Sequence, residues 1–534
     1  MPEALAYATI AGVSPVVGLY AAPGALLFYA AFGSSRQLVV GPMAATAALS
    51  AAAVGDLAAQ DSDLFVQLTI TMALVVGIAA VVAGLLRLGF LASFISEPVM
   101  KGFIIGLALT IMVGQLPKLF GVEKGEGDFF EQLRHLLGEL GSMSGLTLVV
   151  GIAALVVVIG LKMFAPVVPG SLVAVLDGIL AVHLFGLDQH GVAIVGDIES
   201  GLPSFGLSDV GLSDYFDIAP AALGAMLIGF AEGLGAAKTY AARNNYEVDP
   251  NRELLGLGAA GIGAGLSSGM LVNGSLSKTA VNAGAGAKSQ LSSLVVAVLT
   301  VVTLLFLTGL FEELPEAVLA AVVIAAVVEL VDIPALVQLY RAHTRILGRI
   351  YGFAARPDFI AAMAALVGVL VFDTLPGLFI GIGVSVLLLL YRASRPNIAV
   401  LGQAGADGSF QDVERNPDVA PVPGVVIVRI ESGLFFANAD MVRDTIRAKA
   451  ADPNVNAVVL DAQTIPAIDF TAAHMLIELR DLQRQGKRLV LARQVGQVRD
   501  ILGTEQGPSA IEFYPSVRAA VDALRAESQD DGDR

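Results

Sequence analysis

The chain has 534 residues, 55% of them hydrophobic and only 15% charged, and its mean hydropathy of +0.75 exceeds what a soluble globular domain of this length carries. It contains no cysteine, which excludes disulfides and thiolate metal sites, and its five scattered histidines form no metal-ligand cluster. A formal net charge of -16 runs against nucleic acid as a partner, because that calls for a basic surface.

Met1 is followed at once by PEALAYATIAGVSP, with neither a basic region nor a small-residue cleavage site, so no cleavable signal is read there. The stretch has the character of the second half of a spanning helix, and the native helix is expected to begin upstream. About 20 helical residues are needed to cross a hydrocarbon core roughly 30 Å thick. Apolar segments recur near 1–17, 18–33, 37–55, 64–86, 98–117, 146–164, 167–187, 218–240, 253–269, 274–287, 289–311, 315–331, 358–374 and 376–393, fourteen in all. The expected organisation is therefore a polytopic all-α domain over 1–394 with the lipid bilayer as its solvent, a linker over 395–423, a soluble domain over 424–525 and an acidic disordered tail over 526–534.

Basic residues stay on the cytoplasmic side of a membrane. Arg87 and Lys101, Lys162, Arg243 and Arg252, then Arg341, Arg345, Arg349 and Arg356, and finally Arg392 and Arg395 all follow even-numbered segments. The 188–217 loop has no Lys or Arg but carries Asp188, Asp197, Glu199, Asp209, Asp214 and Asp217. This pattern predicts an inner (plasma) membrane protein with both termini and the soluble domain cytoplasmic. The 118–145 loop departs from it with Lys118, Lys124 and Arg134, although acidic residues outnumber them there. Arg87, Glu97 and Lys101 read as interface charges or structural pairs, and Glu329 and Asp332 as a helix-end boundary.

The third and tenth segments share an unusual form. SRQLVVGPMAATAALSAA and SSGMLVNGSLSKTAVNAG each give a short β-like run, Leu38–Val40 or Met270–Val272, then a break at Gly41-Pro42 or Asn273-Gly274, then a short helix of small residues. They lie seven segments apart, so they occupy corresponding places in two halves of opposite orientation. Paired, interrupted segments of this kind point to the midplane binding site of a transporter. A helix that starts inside the membrane presents unpaired N–H groups and the positive end of its dipole, which together attract an anion. The competing explanation is that Gly, Ala and Ser merely mark close helix packing.

Several residues could act at such a site. Backbone N–H groups at Met43, Ala44 and Leu276 are candidate donors, and Thr46, Ser275, Ser277 and Thr279 offer hydroxyls to an oxyanion or line its path. Lys278 lies one turn into the tenth segment; an ammonium inside a membrane faces a partner or an aqueous cavity, and here it would add a point charge for an anion. Its alternative is a lysine reaching toward an interface. Glu232, in IGFAEGLGAAKTYAA, is a carboxylate within an apolar helix, where burial disfavours the charged form and makes it a candidate proton carrier; the alternative is an ion pair with Lys278 or Lys238. Glu3 is either a titratable coupling acid or an N-terminal helix acid favoured by the dipole. The glycine-rich GLGAAGIGAG lies in a membrane helix and is discounted as a phosphate cradle.

In the soluble part, VVIVRIES and AVVLDAQ are strand-like, while 439–451 and 471–485 have helical periodicity, which predicts a small α/β sandwich.

These stretches resemble the SulP sulfate-permease family of anion transporters. PEALAYATIAGVSPVVGLYAA resembles the family's first-helix signature, SSRQLVVGPMAATA its third, LRLGFLASFISEPVMKGFIIG its fourth-to-fifth stretch, VGDIESGLPSF its outer loop and GSLSKTAVN its tenth, and 424–525 resembles the STAS domain that follows. The resemblance implies a seven-plus-seven inverted repeat with two half-helices, a core domain moving against a gate domain, and a homodimer. It also implies that Lys278 stands where relatives commonly carry arginine at the anion site. Glu232 matches an acidic residue tied to cation or proton coupling in some members, and Glu3 replaces a glutamine found in many relatives. IDFTAAHML resembles the STAS signature loop leading into a helix, with Asp469 and Thr471 at its N-terminus, but Phe470 replaces the first of two regulatory positions, so phosphoregulation there is not expected and Thr471 reads as a capping hydroxyl. The expectation is a secondary active transporter working by alternating access on a small inorganic oxyanion, sulfate first, with a coupling proton (or sodium) and no cofactor. Bicarbonate or a C4-dicarboxylate is an alternative substrate, and an anion channel an alternative class. A sensing role for 424–525 is a weaker third reading, and no nucleophile–base pair marks an enzyme.

Overall fold

A computed structural model describes residues 2–58, 62–90, 95–125, 127–165, 168–196, 198, 200–342, 356–372, 374–404, 409–416, 418–479, 481–493, 496–505 and 511–530. Asp197, Glu199, Arg345 and Arg349 of the charge pattern, and residues 531–534 of the tail, lie outside them. The chain divides into a unit over 1–341 and 358–385 and a second over 342–357 and 386–534.

The first unit is helical: α1 Pro2–Ile10, α2 Pro15–Phe32, α3 Ala44–Ala58, α4 Ser62–Leu85, α5 Glu97–Phe120, α6 Phe129–Glu139, α7 Gly145–Phe164, α8 Gly170–Phe185, α9 Leu212–Arg243, α10 Pro250–Leu266, α11 Leu276–Gly284, α12 Leu291–Phe306, α13 Glu316–Val328 and α14 Ile333–Arg341, then most of the Pro357–Phe372 helix and the part of the Thr374–Ala393 helix up to residue 385. Among the described residues seven stretches are long and apolar enough to cross a membrane, and four shorter apolar helices accompany them, so length alone marks half of the fourteen expected segments. Outward faces of α7 and α12 carry exposed Val149, Ile152 and Val156, and Val295, Val298, Leu299 and Val302, an apolar exterior that suits lipid and not water.

Small residues set the packing inside. A Cβ on Gly24 of α2 would lie 2.1 Å from the Gly263 carbonyl oxygen of α10, and one on Gly258 would lie 2.7 Å from the Gly77 carbonyl oxygen of α4. The glycine-rich run of α10 therefore serves to bring α2 and α4 backbone to backbone, as close packing in lipid requires. Of the two readings for Glu97 and Lys101 the structure shows the pair, Lys101 bonding Glu97 at 2.8 Å; Lys162 pairs with Glu329 just past α13, and Asp332 Oδ1 accepts from Ala335 N at 3.0 Å at the start of α14.

Within this helical unit sits a two-stranded antiparallel ribbon, β1 Val39–Gly41 and β2 Asn273–Ser275. The second strand begins three residues later than the expected Met270–Val272, because the pairing register sets Gly41 opposite Asn273 and Val39 opposite Ser275. The expected break at Asn273-Gly274 is thus part of the strand, and α11 follows it directly.

The second unit is a six-stranded mixed sheet in the order β4-β3-β5-β6-β7-β8, with β3 Ile398–Ala404, β4 Ser409–Asp412, β5 Val425–Ile430, β6 Ala457–Asp461, β7 Arg488–Ala492 and β8 Glu512–Tyr514. Strands β5 to β8 are parallel, and β3 pairs antiparallel with β4 and β5. Alternate residues feed two cores: Val428 and Ile430 face the helices Phe436–Ala450 and Phe470–Glu478, while Val425 and Ile427 join Val517 and Val521 of the Val517–Asp530 helix. Three expectations are corrected. The 395–423 linker contains two strands of the sheet, because β3 completes the β5 edge. The last described helix, Val517–Asp530, runs through the start of the expected disordered tail. Asp469, not Thr471, caps the Phe470–Glu478 helix, its Oδ1 accepting from Ala472 N at 2.8 Å, since a carboxylate one position ahead of the helix reaches that N–H.

Candidate anion site

The ribbon carries the two broken segments to one place. After β1, Pro42 and Met43 lead into α3, and Met43 brings no side-chain oxygen to cap it; the first N–H groups of an α-helix have no partner within the helix. After β2, Ser275 caps α11, its Oγ accepting from Lys278 N at 3.3 Å. That leaves Leu276 and Ser277, both exposed, at the opening of the second helix.

Lys278 joins the two. Its Nζ donates to the Pro42 carbonyl oxygen at 2.6 Å, lies 3.9 Å from Glu3 Oε2 and stands 5.1 Å from the centre of the Tyr7 ring. The structure thus gathers Glu3, from α1, with Lys278 and the entrance to α3. Thr279 is fully buried, and its hydroxyl joins two backbones: it donates to Ser275 O at 2.5 Å and accepts from Val39 N at 3.0 Å. Thr46 is buried with its hydroxyl donating to Met43 O at 3.2 Å.

Behind the ribbon lies α9. A Cβ on Gly229 or Gly233 would come within 3.2 Å of the Asn273 side chain, so these two glycines, one turn apart, let β2 rest on the helix. Asn273 and Thr46 line a cavity of about 20 Å³, room for one water. Among the described residues, Asn273 Nδ2 and Glu232 Oε2 are buried with no hydrogen-bond partner. Glu232 is therefore not engaged as the ion-pair partner of Lys278, whose carboxylate neighbour is Glu3.

Sequence reasoning passed over the clamp that holds the approach to β1. Glu253 of α10 is fully buried and accepts from Tyr29 OH at 2.5 Å, from the Ser34 hydroxyl and from Ser34 N at 3.3 Å. Gln290 Nε2 donates to the carbonyls of Ser35 and Leu38, each at 2.9 Å, and Tyr246 OH donates to Gln37 Oε1 at 2.5 Å. The signal was weak, because an acid in the first turn of a helix is ordinary and a lone glutamine between apolar helices has many uses.

The model of the sulfate permease family matches residues 1–346, and that of the STAS domain residues 416–520. A probable sulfate transporter of Mycobacterium tuberculosis is 35% identical over 94% of this chain and 88% of its own length, and high affinity sulfate transporter 1 of Stylosanthes hamata is 29% identical over 92% and 76%. The murine Solute Carrier 26 family member A9 anion transporter in its inward-facing state has the same fold, with a TM-score of 0.87 at 22% identity over 98% of this chain and 89% of that one. The transmembrane domain of a cyanobacterial bicarbonate transporter aligns with a TM-score of 0.60 at 23% identity, covering 71% of this chain and 93% of its own. A helical multi-pass membrane unit built around two interrupted segments, followed by a STAS domain, makes this chain a member of the sulfate permease family.

Proposed function

We propose that the protein is a secondary active transporter of a small inorganic oxyanion, sulfate first, and that the anion is held by Met43, Ala44 and Thr46 of one tip and Ser275, Leu276, Ser277, Lys278 and Thr279 of the other. The observation that carries this reading is the Lys278 ammonium set on the Pro42 carbonyl between two helix N-termini, a concentration of positive potential in an apolar domain. The names of the relatives favour sulfate.

Coupling to a proton follows from Glu3. Glu3 lies 3.9 Å from the Lys278 ammonium, where opposite unit charges attract by roughly 4 kcal/mol at an effective dielectric constant of 20, so an ionised Glu3 competes with an anion for Lys278. A charged Glu3 beside Lys278 therefore opposes the anion, and a protonated one admits it. Glu232, buried without a hydrogen-bond partner, is the second candidate carrier. Alternating access, a homodimer and a place in the plasma membrane with both termini and the STAS domain cytoplasmic complete the proposal.

The test is uptake of labelled sulfate, bicarbonate and fumarate into proteoliposomes, with and without an imposed proton gradient. Concentrative sulfate uptake driven by the gradient supports the reading; uptake that only equilibrates the anion counts against active transport and favours the channel alternative.

A further inference from the structure

At the far ends of α2 and α4 and the start of α10 lies a cavity of about 690 Å³, lined by residues other than those of the ribbon and its two helix starts. Its size falls in the range of small-molecule sites. Phe32, Leu85 and Leu255 give it an apolar lining, and exposed Arg87 and Arg252 stand at its rim. Among the described residues neither guanidinium makes an ion pair or a side-chain hydrogen bond. Asp249 is also on the rim, but its Oδ1 is engaged in capping α10, accepting from Asn251 N at 2.7 Å and Arg252 N at 3.2 Å.

A second observation concerns α4. Ile78, Val82 and Leu85 are exposed at helical spacing, forming an apolar stripe that runs along the helix to the cavity. Arg87 follows at φ 60°, in the left-handed region that ends the helix and that side chains other than glycine seldom occupy. One ligand satisfies both features: its anionic head meets two unpaired guanidiniums, which bind phosphate in forked geometry, and its hydrocarbon covers the α4 stripe.

We propose that this cavity binds the headgroup of an anionic phospholipid, with Arg87 and Arg252 on the phosphate and an acyl chain along Ile78, Val82 and Leu85. A free phosphate would satisfy the arginines but leave the stripe uncovered.

The test is native mass spectrometry of the full chain, released from detergent with equimolar phosphatidylglycerol and phosphatidylcholine, with and without inorganic phosphate. The expected result is a preference for phosphatidylglycerol of roughly tenfold or more, as charge-assisted contacts provide. The preference falls to parity in the double variant Arg87→Gln, Arg252→Gln. It persists in Arg243→Gln, which removes an arginine outside the cavity, and is kept in part in the double variant Arg87→Lys, Arg252→Lys, which keeps the charge but loses the fork. Preference unchanged in the double glutamine variant overturns the site, and displacement of phosphatidylglycerol by inorganic phosphate overturns the lipid as its ligand.

Discussion

Lys278 Nζ and the Pro42 carbonyl oxygen are 2.6 Å apart, so the ammonium of one half-helix is held by the backbone that leads into the other. A hydrogen bond to a charged group contributes about 1.5–3 kcal/mol, which corresponds to roughly ten- to a hundredfold in affinity. Lys278→Met removes both this link and the positive charge. Anion uptake in proteoliposomes is expected to fall by that factor, chiefly through KM, while Lys278→Arg retains part of it with altered selectivity because a planar fork replaces a point charge. An unchanged KM in the methionine variant would remove Lys278 from the site.

Glu3 and Glu232 make separable predictions. Glu3 faces the same ammonium at 3.9 Å, so Glu3→Gln fixes the neutral state: uptake persists down an anion gradient but no longer responds to an imposed proton gradient. Glu232→Gln, which replaces a carboxylate oxygen that lacks a partner, should abolish the proton response if Glu232 is the carrier. If both variants respond to the gradient as the parent does, coupling by these two acids is ruled out.

Thr279 tests whether the ribbon must be tied. Thr279→Val keeps the volume but leaves the Val39 N–H without its acceptor, the bond that spans 3.0 Å from one tip to the other. A buried donor left unsatisfied costs about 1–3 kcal/mol. The thermal midpoint of the purified protein should drop and uptake with it, and Thr279→Ser should recover both. A valine variant as stable and active as the parent would show that strand pairing alone holds the tips.

The interrupted segments were legible because breakers followed by small residues recur at matching places, and small residues have little to do in an apolar helix except let something close. The register was not, since Asn273-Gly274 reads as a break until a partner strand turns it into β2. The strands β3 and β4 were hidden for different reasons: IAVLGQA follows closely on the Thr374–Ala393 helix and is interrupted by Gly402, and SFQD has only four residues, so each becomes a strand by pairing with the other and, for β3, with β5. Lys278 was read as a site residue from its place near a helix start, but its neighbours Glu3 and Pro42 come from the other end of the chain. Periodicity carries no information about such distant pairs.

Glu253 gives the last prediction, and it concerns positioning, not contact with an anion. Its carboxylate accepts from Tyr29 OH, the Ser34 hydroxyl and Ser34 N, fixing the chain five residues before β1 begins at Val39. Glu253→Gln replaces one acceptor oxygen by an NH2 group that faces donors, leaving buried groups unsatisfied at a cost of about 1–3 kcal/mol. Tyr29→Phe removes one donor and should cost less, because the remaining acceptor sites keep Ser34 in place. If the clamp sets the ribbon, the glutamine variant loses uptake and thermal stability together, and Tyr29→Phe loses a smaller part of each. A glutamine variant that is destabilised yet transports at the parent rate, measured below its midpoint, would show that Glu253 serves the fold of α2 and α10 without governing the tips.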